Sequence, residues 1–173
     1  MKQSKEYVFK KKSIVFELVL TFIALIPVVL LLNLYKEPLI MLLVGLIPGI
    51  FLYFQIYSVL IIHQFNKYDA GKKVVISDDR SIFTLVDKSS VVTINNSDVE
   101  KVELYEQKSL GKFGTYSYMI IYTNDRKKLL VTQFTIPRLA YDNILQSFLR
   151  KKSRFYFKKT FNYIDEKQFK SID

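Results

Sequence analysis

Side chains able to do chemistry are few in this sequence, and their spacing argues against a reaction centre. His63 is the only histidine, hence the only side chain ordinarily titrating near neutrality. It ends an apolar run beside Gln64, where it reads as an interfacial residue. The acid pairs Asp78-Asp79 and Asp165-Glu166 are sequence neighbours that point apart, as turn residues do. Gly111-Lys112-Phe113-Gly114 lacks the spacing and the Ser/Thr-capped helix of a phosphate loop, but as a hairpin loop it would present Lys108, Lys112 and Phe113 to lipid or protein. The absence of cysteine removes thiol catalysis, disulfides and thiolate metal sites. Glu17 stands alone among apolar positions and would be a proton-relay candidate deep in a membrane. In the first helical turn, close to Lys10, Lys11 and Lys12, it complements the helix dipole instead. We expect no enzyme, no cofactor and no metal.

Two long apolar runs dominate the N-terminal third. From Ile14 to Tyr35 the only formal charge is Glu17, and from Leu39 to Ile62 there is none. A helix needs about 20 apolar residues to cross a bilayer, so both runs qualify. The four residues Tyr35-Lys36-Glu37-Pro38 allow only a direct reversal, with Pro38 suited to the first turn of the second helix. Lysines gather before the first run (Lys2, Lys5, Lys10, Lys11, Lys12) and after the second (Lys67, Lys72, Lys73), against a single Lys36 between them. That asymmetry predicts a multi-pass protein of the cell (inner) membrane with both termini cytoplasmic. Pro27 and Pro48, each in a Leu-Ile-Pro tripeptide, read as paired kinks. Gly45 and Gly49 form a small-xxx-small spacing that would serve hairpin packing or a homo-oligomer.

Beyond Asp69-Ala70-Gly71 the apolar period changes from 3.6 to 2. Strands are expected at about 73–77, 81–87, 91–95, 99–107, 115–122 and 127–134, with turns at Asp78-Asp79, Asp87-Lys88-Ser89, Asn96-Ser97-Asp98 and Asn124-Asp125. Alternation over Tyr116 to Tyr122 suggests a half-buried, curled sheet. Thr135 reads as the cap of a helix whose stripe Tyr141, Ile144, Leu145, Phe148 and Leu149 must be buried. The expected fold is thus a membrane α-hairpin plus an α+β unit: a PH-like antiparallel β-barrel closed by a C-terminal amphipathic helix. Its parts would be a basic tail over 1–13, the transmembrane hairpin over 14–62, a linker over 63–71, the barrel domain over 72–152 and a basic aromatic tail over 153–173.

Two N-terminal spanning helices, the turn Asn96-Ser97-Asp98 leading into Val99-Glu100-Lys101-Val102, and Phe134-Thr135-Ile136-Pro137-Arg138 before the last helix resemble bacterial membrane-anchored PH-like proteins of the YcxB-like type, over residues 14–152. The resemblance implies a cytoplasmic PH-like module on a two-helix anchor, with no catalytic residues to carry over. No arginine-lysine pair on adjacent early strands marks a phosphoinositide pocket, and fold alone does not transfer that role.

The net charge of +10 lies mainly at the ends: +4 in residues 1–13 and +5 in 150–173, against +2 in 72–149. That distribution suits an anionic lipid surface better than a phosphate-tracking groove, so nucleic acid is not an expected partner. Arg150, Lys151, Lys152, Arg154, Lys158 and Lys159 alternate with Phe155, Tyr156, Phe157 and Phe161, either as an interfacial segment or with the aromatics packed on the domain. The leading expectation is a non-catalytic, membrane-anchored binding or scaffold module whose partners are the bilayer and an unidentified protein. Alternatives are a membrane immunity protein neutralising a toxin, and a small transporter or enzyme component using Glu17.

Overall fold

The computed structural model describes residues 4–34, 37–88, 90–107, 116–149, 153–159 and 162–165. The chain divides into two compact units, Lys12–His63 and a second made of Met1–Lys11 with Gln64–Asp173.

The first unit holds helix α1 (Ile14–Leu34) and most of α2 (Pro38–Asp69). Both pass the length and hydropathy test for a membrane span, a test that core helices and signal sequences also pass. No residue of α1 is buried, and Phe16, Phe22 and Leu34 stand open at 63, 69 and 75 % exposure. Pro27 and Pro48 lie inside their helices. The Asn33 amide bonds back to the carbonyl of Val29 in its own helix.

The second unit is built on two four-stranded sheets. In the first, β1 (Lys5–Val8), β2 (Lys73–Ile76), β3 (Ile82–Asp87) and β4 (Ser90–Asn95) follow one another as antiparallel neighbours. A 3-10 turn at Asn96–Asp98 carries the chain to the second, ordered β7-β6-β5-β8, from β5 (Val99–Gln107), β6 (Ser117–Thr123), β7 (Lys128–Thr132) and β8 (Ser153–Lys159). Between β7 and β8 lies α3 (Arg138–Ser147). Val74, Phe83 and Ile94 from one sheet, Leu104, Met119 and Val131 from the other, and Tyr141, Ile144 and Phe148 from the α3 region form one core.

Several expectations are corrected here. The sheets do not close into a barrel: both edges of β5 are taken, by β6 and by β8, and the segment after β1 meets the turn after β7 through the Lys10 N–H to Phe134 carbonyl bond. The segment read as a basic tail over 1–13 contains β1, whose Val8 is register partner to Lys73; a four-residue strand between lysines carries too little alternation to announce itself. Residues up to Asp69 in the expected linker continue α2. The expected aromatic tail contains β8, parallel to β5. Thr135 does not cap α3; Pro137 takes that position without a side-chain bond. The middle of β6 is buried on both faces rather than one.

Candidate functional site

The end of the second unit that receives the apolar insert is held by a buried polar knot. Phe9 N–H donates to the Lys72 carbonyl at 3.0 Å, beside the Lys10 to Phe134 bond. Asp69, fully buried, closes the last turn of α2. Its Oδ2 accepts from the Thr132 N–H, the Thr132 hydroxyl and the Thr135 hydroxyl at 3.1, 2.8 and 2.7 Å. Lys72 Nζ lies 3.6 Å from Oδ1 and donates to the Leu130 carbonyl at 3.0 Å. A carboxylate at a helix C-terminus is opposed by the dipole, and a buried one needs a partner and donors. Asp69 therefore carried a sequence signal of strong outside compensation, hidden by its position in a helix-breaking Asp-Ala-Gly.

Two further side chains of the same helical end pack within the second unit. The Phe65 ring meets Tyr116, Tyr118 and Phe134 edge-on, with centroids 6.1, 6.1 and 5.5 Å away. The Gln64 amide pairs with the backbone of Ile164 as a strand would, donating to its carbonyl at 2.8 Å and accepting its N–H at 2.9 Å.

Next to the knot, Tyr68, Lys72, Leu85, Asp87, Val92, Lys128 and Leu130 help line a cleft of about 240 Å³. Its chemistry fits a multiply charged phosphate poorly: the Lys72 ammonium is already spent on Asp69 and Leu130, Asp87 lines the cleft along with Lys128, and much of the wall is aliphatic. A second cleft, of about 160 Å³, opens between Lys5, Tyr7, Arg80 and Asn143.

The outer face of the second sheet carries a satisfied ionic and aromatic array. Glu103 accepts from Lys101 Nζ at 2.9 Å, Tyr105 hydroxyl at 2.9 Å and Tyr122 hydroxyl at 2.7 Å. Burial works against its charged form, but these bonds outweigh it and hold the carboxyl below its usual range. Burial first, then the hydrogen bond to Glu103 and its charge, pushes the Tyr105 and Tyr122 phenols up. Tyr105 stacks between Tyr118 and Phe157 at 4.6 and 4.8 Å. With every group answered, the array stabilises the sheet and offers no reactive side chain.

Of the contact residues named from sequence, Lys108, Lys112, Phe113, Arg150, Lys151 and Lys152 lie outside the described residues. Arg154, Lys158 and Lys159 fall on β8. Arg154 donates to the Leu149 carbonyl at 3.0 Å, and Lys159 Nζ sits 4.6 Å over the Tyr105 ring. Among the described residues, a Cβ added at Gly45 or Gly49 would meet nothing within 4 Å. Glu17 pairs with Lys12 at 3.3 Å, as its place in the first turn suggested. Among the described residues no group of three or more His, Asp or Glu side chains could hold a metal.

Two four-stranded sheets and the helix α3 surround one core. The chain matches the family described as PH domain over residues 4–144 and belongs to that family. PH domains are in general non-catalytic modules that bind lipids or proteins. The match begins at β1, runs through the apolar insert and ends within α3. No curated protein and no solved structure shows a match to this chain.

Proposed function

We propose that this PH domain is a binding or scaffold module anchored in a bilayer by an α-hairpin inserted between its first two strands, in the manner of the YcxB-like proteins its motifs resemble. The observation that carries the reading is the register Val8 to Lys73. These partners flank both apolar helices, so the chain must cross a membrane an even number of times between them. A single crossing would put hydrogen-bonded neighbours on opposite faces of the bilayer. No crossing would leave α1, with no buried residue, in water, far beyond the apolar patch soluble proteins tolerate. Removal of α1 as a signal sequence would also take β1 out of its sheet. The lysine excess before α1 and after α2 favours a cytoplasmic domain at the inner membrane. The aliphatic cleft beside Lys72 favours a protein partner over a phosphorylated headgroup.

The chain has no cysteine, so single reporters test the topology. In sealed membranes, Ser4→Cys and Ser90→Cys should react with an impermeant maleimide from one side and Glu37→Cys from the other. Labelling of all three from the same side overturns the hairpin.

A further inference from the structure

Among the described residues β8 is an edge strand, and its surface is unusual. Phe155, Tyr156 and Phe157 are consecutive and 46, 58 and 39 % exposed. Phe155 and Phe157 share the face of Glu103 and Tyr105, their register partners on β5, while Tyr156 points the opposite way. Both faces of the edge are therefore aromatic. Arg154, Lys158 and Lys159 bracket the three rings, and Lys101 Nζ lies 5.7 Å from the Phe155 centroid. An exposed, apolar edge strand in water invites association, and natural edges are blunted by charge, bulge or cover. Here the charges stand at the ends of the aromatic run and leave its middle open.

We infer that β8 is an interfacial strand that lies in the headgroup layer of an anionic bilayer, the exposed Phe155 and Tyr156 rings toward the acyl boundary and Lys158 at the lipid phosphates. Three features select this occupant. Tyr and Phe flanked by Lys and Arg are the composition of membrane-interface segments. The positive charge is complementary to an anionic leaflet. The edge backbone groups of β8, which hydrocarbon would forbid, are satisfied by water in a headgroup layer. The inference rests on the anchored reading above. It makes the module a reader of leaflet charge: β8 engages where anionic lipid is present and lifts off where it is not.

The chain has no tryptophan, so Tyr156→Trp supplies a sole indole at an exposed site, and Phe155→Trp a second reporter should the first perturb folding. The full chain is reconstituted into nanodiscs of phosphatidylcholine alone, or of phosphatidylcholine with phosphatidylglycerol, containing lipid brominated near the carbonyl end of the acyl chain. Blue-shifted emission, quenched several-fold more in the phosphatidylglycerol discs and reduced by Lys158→Gln and further by Lys158→Glu, is the expected result. Red emission that acrylamide quenches and bromolipid does not, in a chain that co-elutes with the discs after alkaline wash, overturns the inference and leaves the anchor standing. Failure of the chain to co-elute with discs overturns the anchor itself. Equal bromolipid quenching in both discs, unmoved by the lysine changes, overturns the charge-reading role.

Discussion

Asp69 and Thr132, 63 positions apart, are joined twice through one oxygen: the Thr132 N–H and its hydroxyl both donate to Asp69 Oδ2, at 3.1 and 2.8 Å. The bond pair ties the end of α2 to β7.

Cutting this tie should be costly. Asp69→Ala leaves Lys72 and three donors buried without their acceptor, a change of about 3 to 5 kcal/mol. Thr135→Val, which removes one neutral donor, should cost about 1 kcal/mol. Denaturation in mild detergent measures both. The double variant should fall short of the sum, since both changes break the same knot.

Gln64→Ala removes two hydrogen bonds that hold Ile164, with an expected loss of about 1 to 2 kcal/mol. The local reading is sharper than the global one. Amide exchange at Ile164, whose N–H rests on Gln64 Oε1, should accelerate, while Met119 in the core stays protected.

Gly71 turns the chain from α2 into β2 at φ +84, and a Cβ there would meet Lys88 Cγ at 2.9 Å. The flexible lysine can move away, but the left-handed backbone cannot be relaxed. Gly71→Ala should therefore destabilise by about 1 to 2 kcal/mol, and Lys88→Ala should not rescue it.

Acid should loosen the β2–β3 turn. The Ser77 hydroxyl first, then the hydroxyl and N–H of Ser81, lower the Asp79 carboxyl from its ordinary 3.8 to about 2. A depressed folded value means that the charged form stabilises the turn above pH about 4. This contribution disappears as pH falls toward 2. Carboxyl carbon chemical shifts titrated by NMR check the value, and Ser77→Ala should raise it toward the ordinary range.

The β1 register also says how to obtain the domain without its helices. Residues 4–11 joined to 64–165 through a glycine-serine linker of about ten residues, which spans roughly 18 Å, should fold in plain buffer. Residues 72–152 alone lack β1, Asp69, Phe65 and β8, and should not. Cooperative thermal melts of the two chains decide between these outcomes.

Much of the fold was legible where one period ran long enough. The strand from Val99 to Gln107 was readable from its turn and its β-prone residues, although Val102 to Tyr105 are buried on both faces, and the Tyr141, Ile144 and Phe148 stripe of the α3 region was readable from its helical spacing. β1 was not, since four residues with charges on both sides show no face until β2 supplies one. The aromatics of 153–163 left two readings open because their composition serves a lipid interface and a packed strand alike. Their pairing with β5 is a contact 52 positions away at Lys101 and Ser153.

The sequence alone determined two apolar stretches of spanning length, an excess of lysine outside them over the connection between them, and a following unit of strands. These are local properties, written in hydropathy, charge and period. Only the tertiary structure decided that the stretches are an insertion between two neighbouring strands, that the end of α2 belongs to the sheet domain and that β8 occupies the second edge of β5. Each of these is a pairing between distant residues. Backbone hydrogen bonds and buried charges set such pairings, and they leave no periodic trace along the chain.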